Sequence, residues 1–334
     1  MKELILEEPG VLKWQQRAIP EAAAGEVLLK VHRVGICGSD IHAFHGKQPF
    51  FSYPRVLGHE LAVEVVNSKS EKFQKGDLCT VEAYYPCGTC PACKNERPNC
   101  CSSLQVLGIH TDGGHCEYIL VPEERLHKGN GLSVDELALV EPLVIGAHAA
   151  ERGAPQKGEP VLVLGAGTIG IATALFARAE GADVVIADIN QEKLDFVKNK
   201  MDFEKIALVN ETLEDQLRKF FGGQMPYLIF DATGNPQSMM STFELVEQSG
   251  RIVFVGLFKG EVSFNDPLFH KKELTLLASR AGTGKTFSKV ISMMQEGKIK
   301  AQPMINQRIK FSDADKEFNE LASSKSLVKA MIEF

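Results

Sequence analysis

The chain has 334 residues, 44% of them hydrophobic, and 37 basic against 43 acidic side chains give a net charge of -6. That balance excludes the basic footprint of a nucleic-acid or anionic-membrane partner, and the length implies about two domains rather than one core. Eight cysteines, in a chain whose opening MKELILEEPG lacks the sections of an export signal, predict a cytoplasmic protein with metal-binding or reactive sulfur rather than disulfides.

Over residues 2–66 the runs ELILEE, VLKWQQ, EVLLKVHRVG and ELAVEVVN predict an irregular, strand-rich lobe. Within it GICGSDIHAFHGKQPFFSYPRVLGHE, residues 35–60, gathers Cys37, Ser39, His42, His59 and Glu60. A thiolate and an imidazole suit zinc, and a catalytic zinc keeps three protein ligands and one open position. Cys37 and His59 alone would equally serve as a small buried hydrophobe and a hydrogen-bonded core histidine, so the pair needs a third ligand.

Lys75-Gly76-Asp77 is a turn before another strand, LCTVEAY, and then comes CGTCPACKNERPNCC. Cys87, Cys90 and Cys93 have C-x2-C-x2-C spacing, and with a fourth sulfur they close the tetrahedral shell of a structural zinc. Cys100 and Cys101 both offer that sulfur, and the spacing is also compatible with an iron–sulfur cluster. Cys79 and Cys116 lie in strand-like runs and are expected in the core. LSVDELALVEPLVIGAHAAER has helical spacing broken at Pro142, and places Glu141 among apolar residues. A carboxylate there is costly unless paired or bound to metal; a helix-end position near solvent fits the local sequence equally.

VLVLGAGTIGIATALFARAEG then reads as strand, Gly165-x-Gly167-x-x-Gly170 turn and helix, followed by the strand DVVIAD ending at Asp188. In that context the turn predicts a dinucleotide site: the first glycine permits the turn, the second admits the pyrophosphate, and the third lets helix pack on strand. The uncharged stretch 160–177 has the length of a membrane span, but its glycines and strand-like opening favour strand, turn and helix. KIALVN, YLIFDATG, RIVFVG and ELTLLASR complete six strands, the number of a doubly wound parallel sheet, over residues 149–280. AGTGKT, residues 281–286, is not a phosphate loop, because Ser279 stands where its first glycine belongs. The remaining residues, 281–334, are expected to return to the first lobe.

In this order GICGSDIH, GHE, the four-cysteine loop, EPL and the glycine fingerprint resemble the zinc-dependent medium-chain alcohol and polyol dehydrogenases over essentially the full length. The resemblance implies an α/β protein: a GroES-like catalytic domain, residues 1–148 and 281–334, interrupted by a Rossmann domain, with the active site in the cleft between them. It implies a catalytic zinc surrounded by Cys37, His59 and Glu141, with Glu60 as alternating ligand, and a structural zinc on Cys87, Cys90, Cys93 and Cys101. Ser39 and His42 fall on the family's proton relay, and Gly165, Gly167, Ile169, Gly170 and Asp188 on the cofactor site. Glu141 stands where the alcohol branch has cysteine, which points to the polyol, threonine and sugar-acid branches. LAVEVV after Glu60 departs from the glycine common there.

QPFFSYPRVLGHE, VFVGLFKGE and DPLFHKKE further resemble the bacterial aldonate 5-dehydrogenases of the L-galactonate type. The implied reaction is NAD-dependent oxidation of a secondary hydroxyl of a sugar acid, with a polyol or L-threonine as the alternative substrate, by a dimer or tetramer. A sensor that binds nucleotide without chemistry would need none of Cys37, Ser39, His42, His59 and Glu141. Asp188, with no basic residue immediately after it and Lys193 further along, predicts NAD over NADP. Arg280 is the candidate for a substrate carboxylate, with Lys47 and Arg55 as fallbacks. His45, His110, His115 and His148 are expected to be structural.

Overall fold

The structure, a computed structural model, describes residues 1–48 and 51–334; Pro49 and Phe50, inside QPFFSYP, lie outside the described residues. The chain begins with strands β1 (Lys2–Glu8), β2 (Val11–Gln16) and β3 (Glu26–Ile36), helix α1 (Gly38–Phe44), and strands β4 (Arg55–Val56), β5 (Glu60–Ser68), β6 (Leu78–Val81) and β7 (Tyr84–Tyr85). Next come α2 (Pro91–Lys94), β8 (Gln105–Val106), β9 (Tyr118–Pro122), β10 (Leu126–Lys128) and α3 (Val134–Gly153). The alternating part follows: β11 (Pro160–Leu164), α4 (Thr168–Ala179), β12 (Asp183–Asp188), α5 (Gln191–Met201), β13 (Ile206–Leu208), α6 (Leu213–Phe220), β14 (Leu228–Asp231), α7 (Pro236–Leu245), β15 (Arg251–Phe254), α8 (Asp266–Lys271) and β16 (Thr275–Ala278). The chain closes with α9 (Gly284–Gln295), β17 (Ile305–Lys310), α10 (Ala314–Ser323) and β18 (Lys329–Glu333). Two compact units result, Met1–Glu141 with Thr283–Phe334, and Pro142–Gly282.

In the first unit the main sheet runs β10-β6-β5-β3-β18-β17, with β9 also paired to β3. β3 is the hub because six of its eleven residues, Val27, Leu28, Leu29, Val31, Val34 and Ile36, are buried apolar side chains and it pairs antiparallel with β5, β9 and β18. Leu29, Val31 and Val34 on β3 join Leu61, Val63 and Phe318 in one core. The end of β3 delivers the chain directly into Cys37, so the metal motif begins on the most constrained strand of the unit.

In the second unit six parallel strands lie in the order β13-β12-β11-β14-β15-β16, the 3-2-1-4-5-6 order of a doubly wound sheet. β11 and β14 read as continuous apolar runs because both of their faces are covered, and their residues are buried almost throughout. The uncharged stretch 160–177 divides into β11, the turn and α4, and no helix among the described residues is long and apolar enough to cross a membrane.

Pro142 does not end its helix: α3 continues through it, and the two units divide at 141/142 and 282/283 rather than at the 148/149 and 280/281 read from the sequence. An interior proline costs about 3 kcal/mol through its missing N–H and ring clash. The fully buried Leu137, Leu139, Leu143 and Val144 around it bring apolar burial of about 2 kcal/mol each, enough to keep the helix.

One ion network ties α3 to the sheet. Asp135 in the first turn of α3 accepts from Arg33 Nε on β3 at 3.0 Å and from Arg308 Nη2 on β17 at 2.6 Å, while Arg308 Nη1 also reaches Glu333 on β18 at 2.7 Å. The hydrogen bond from Arg308 leads in holding the Asp135 carboxyl below its ordinary range. A depressed carboxylate stabilises the fold above its unfolded pKa of about 3.9 and loses that contribution as pH falls through the lower, folded value. Asp135→Asn should therefore cost about 1–3 kcal/mol at pH 7, read as a lower urea midpoint, with the gap to wild type closing below about pH 4.

Candidate active site

Cys37 N-caps α1, and the Asp40 carboxylate reaches back to accept the Cys37 backbone N–H at 2.9 Å, fixing the thiol at the end of β3. The other Asp40 oxygen, Oδ1, lies 3.7 Å from His59 Nδ1. Both residues are buried, as is Glu60, and the donor atoms of Cys37, His59 and Glu60 all lie within 4.8 Å of one another. Burial works against a charged His59 ring, but the charges of Asp40, Cys37 and Glu141 outweigh it and raise its pKa well above the ordinary value. A cation-seeking set of thiol, imidazole and carboxylate, with an acid behind the imidazole, fits zinc and the second-sphere support that zinc ligands need.

Two carboxylates adjoin this set, and each has a different partner. Glu60 opens β5 and gives both oxygens to Lys329 Nζ on β18, at 2.7 Å each. Glu141, 2% exposed on α3, is bonded by the Tyr84 hydroxyl of β7 and is not in the close donor set that includes Glu60. Burial raises the Glu141 pKa; His59 opposes the rise and Glu60 adds to it. Tyr84 is pushed well above its usual value by burial and then by Glu141, so it stays a neutral donor. Asp40, Tyr84 and Lys329 were not legible as site residues. Only Asp40 had a local signal, three positions after Cys37 as the N3 partner of a helix start.

Ser39 and His42 lie three apart on α1 and so share a face. The Ser39 hydroxyl is buried without a hydrogen-bond partner among the described residues, while His42 reaches solvent. Loss of water around part of its ring, then Lys47 and His45, lower the His42 pKa. Arg55 donates to Asp112 and Ser52, both at 3.1 Å, and Lys47 is exposed. Arg280 belongs to the second unit, two residues past β16. His110 Nδ1 accepts the Val106 N–H at 3.0 Å, and His148 sits 3.5 Å from Glu151. His115 is fully buried against Gly58, and burial followed by the His59 charge lowers it to about 3.

Cys87, Cys90, Cys93 and Cys101 form the other close donor set, their sulfurs within 4.8 Å of one another, while Cys100 is exposed outside it. All four are free thiols. Backbone N–H groups of Cys87 and Cys90 donate to Cys101 and Cys87 sulfurs at 3.2 and 3.4 Å, and the N–H groups of Cys93 and Ser102 lower Cys90 to about 5. A loop that turns its own amides toward these sulfurs fits a four-sulfur metal shell. Cys79 and Cys116 are buried elsewhere, and burial pushes both up to about 12, as inert thiols.

In the second unit, Gly165 has φ +102° and a Cβ at Gly170 would meet Gly165 O at 1.8 Å, whereas one at Gly167 would meet nothing. The open face of Gly167, which N-caps α4 without any side-chain cap, leaves helix N–H groups for an anion. Ile169 lies in the first turn of α4. Asp188 at the end of β12 accepts the Ala166 and Asn190 N–H groups at 2.7 and 2.8 Å. Gly165, Gly167, Asp188, Ile189 and Lys193 line a cavity of about 590 Å³.

Residues 23–131 match the family model of the alcohol dehydrogenase GroES-like domain, and 168–296 that of the zinc-binding dehydrogenases. The chain belongs to the zinc-type medium-chain alcohol dehydrogenase family, oxidoreductases that act on CH–OH groups and use zinc and a nicotinamide dinucleotide. It is 43% identical to L-galactonate-5-dehydrogenase of Escherichia coli K12 over 337 residues, covering 100% of this chain and 99% of that one. It is 29% identical to 2-dehydro-3-deoxy-L-galactonate 5-dehydrogenase of Pseudoalteromonas atlantica, covering 93% and 92%. A crystal structure from E. coli CFT073, described as a short chain alcohol dehydrogenase complexed with cofactor NADH, superposes with a TM-score of 0.92 at 30% identity, over 100% and 99% of the two chains.

If the four-cysteine loop holds its own metal, Cys93→Ser should lower zinc content from about two to about one per chain and lower the melting temperature. Unchanged metal content and melting would remove the loop from the metal account.

Proposed function

We propose that this chain oxidises a secondary hydroxyl of a sugar acid to the ketone with NAD as hydride acceptor, in the manner of an L-galactonate 5-dehydrogenase. The observation that carries this reading is the close Cys37–His59–Glu60 donor set, with the unpartnered Ser39 hydroxyl two residues on from Cys37, in a chain 43% identical to such an enzyme along its whole length. When bound, zinc at Cys37, His59 and Glu141, with Glu60 alternating, supplies a Lewis acid that lowers the pKa of the substrate hydroxyl, and NAD supplies the hydride acceptor. Ser39 Oγ accepts the hydroxyl proton as it gives its own toward His42, and His42 passes it to water. The lowered pKa of His42 keeps the ring neutral near pH 7 and ready to receive that proton. Tyr84 fixes the orientation of Glu141, and the Asp40 carboxylate lies behind the His59 ring at 3.7 Å as its counter-charge.

The Asp188 carboxylate at the end of β12 suits the two ribose hydroxyls of NAD and repels a 2′-phosphate; Lys193 on the same cavity is the residue that softens the preference. Arg280 is the proposed partner of the substrate carboxylate, with Lys47 as the fallback. Arg55 is the weaker candidate because Asp112 already holds its guanidinium.

Steady-state kinetics on L-galactonate, L-gulonate, the matching polyols and L-threonine, each with NAD and NADP, test the reading. The sugar acids with NAD should give the highest kcat/KM, by about tenfold or more over the uncharged polyols, and Arg280→Ala should raise KM for the acid. Preference for a polyol would overturn the sugar-acid assignment, equal efficiency with NADP the cofactor assignment, and an unchanged KM the role of Arg280.

A further inference from the structure

A groove of about 940 Å³ opens in the first unit, and none of its lining residues belongs to the donor sets or the proton path. It forms where the small sheet β2-β1-β4 meets the main sheet. The Glu117 N–H, just ahead of β9, bonds Lys2 O at 3.1 Å, and the Leu4 N–H bonds His115 O at 2.8 Å, so β1 is stitched to the chain entering β9. Residues of β2, β3, β17 and β18 stand around that seam. Its wall is aromatic: Phe311 stacks on Phe334 with ring centroids 4.0 Å apart, and Trp14 of β2 meets Phe311 edge-on at 4.9 Å. Phe311 is buried, but Trp14 stays 36% exposed and keeps an open indole surface toward the groove.

The rim is cationic, in a chain whose net charge is -6. Lys2, Lys30 and Lys310 line the groove on three different strands, all exposed, and none has an ion partner among the described residues. The carboxylates on the same wall are already engaged: Glu333 accepts from Arg308 at 2.7 Å, and Glu117 accepts the Lys2 backbone N–H at 2.7 Å. The side chains therefore leave positive charge beside an open aromatic face. We propose that this groove is a second ligand site, for a nucleoside phosphate, with the base laid on Trp14 and the phosphates among Lys2, Lys30 and Lys310. Three features favour that class over a sugar acid. A flat base stacks on an indole, which an open-chain acid cannot do. Lysines are point charges that suit a phosphate chain, whereas a single carboxylate is best met by the fork of an arginine, and no arginine is among the described lining residues. The volume also exceeds what one small acid fills and lies within the range of sites that enclose larger ligands. This site belongs to the first unit and is separate from the glycine-lined cavity of the second.

The test uses the full chain carrying Gly167→Val, which puts a side chain over the open helix N-terminus of the second unit and keeps nucleotide out of that cavity; φ there is -83° and a Cβ meets nothing, so the fold accepts it. Trp14 is the only tryptophan, so its fluorescence, excited where the base does not absorb, reports the groove alone. ATP should quench it saturably with a Kd of about 1 mM or tighter, and added NaCl should weaken the binding. Adenosine, which keeps the ring without the charge, should bind about tenfold or more weakly, and so should D-galacturonate, a ring-shaped acid with no aromatic face. The variant K2A/K30A/K310A should bind ATP about tenfold or more weakly than the chain with its lysines. No saturable quench by ATP up to about 10 mM, adenosine as tight as ATP, or unchanged ATP affinity in the triple lysine variant would overturn the proposal. Galacturonate binding as tightly as ATP would overturn the nucleotide class. Should the triple variant fail to fold, the ranking of ATP, adenosine and galacturonate in the groove with its lysines decides alone.

Discussion

A carboxylate taken out of water must find a counter-charge or a proton, and the first unit buries three of them around one thiol and one imidazole. Asp40 faces His59, Glu60 faces Lys329, and Glu141 accepts from Tyr84. Each partner comes from a different element: α1 meets the loop before β5, β5 meets β18, and α3 meets β7. The acids therefore do more than surround a cation. They require the strands of this lobe to close in one register, because a slip by one residue would send Glu60 or Lys329 to the opposite face of the sheet. A divalent cation adds positive charge where acidic groups already outnumber Lys329, so the folded lobe is electrostatically prepared for it.

The second unit meets the opposite requirement, to bring a polyanion against backbone. It does so with absence of side chain: Gly165 turns, Gly170 lets α4 touch the strand, and Gly167 leaves its face open at the helix N-terminus. Asp188 is already preorganised by two backbone N–H groups, so its carboxylate has a fixed place at the edge of the cavity.

How much of this was legible depends on how far apart in sequence the interacting groups lie. The six-stranded sheet could be read because each strand carries its own apolar run and each glycine its own local duty. The cysteine loop could be read because the four sulfurs that come together fall within fifteen residues, although only the family resemblance singled out Cys101 over Cys100. Pro142 misled because its local rule is strong, while the burial that overrules it comes from residues packed around α3. Lys329 was invisible for the same reason: in SSKSLVKAMIEF it reads as an ordinary strand lysine, and only the β18–β3–β5 order brings it to Glu60, 269 positions away. Tyr84 looked like a strand aromatic until α3 placed Glu141 beside it. The donor atoms that gather follow local motifs; the groups that hold the acids in place follow topology.

The most direct measurement of the central claim is zinc content and NADH formation from a sugar acid on the same preparations of wild type and Cys37→Ser. The account predicts that Cys37→Ser loses about one zinc per chain and turnover by about a thousandfold or more, while its melting temperature and NAD binding stay near wild type. Turnover that survives in Cys37→Ser at wild-type rate, with zinc content unchanged, would contradict it.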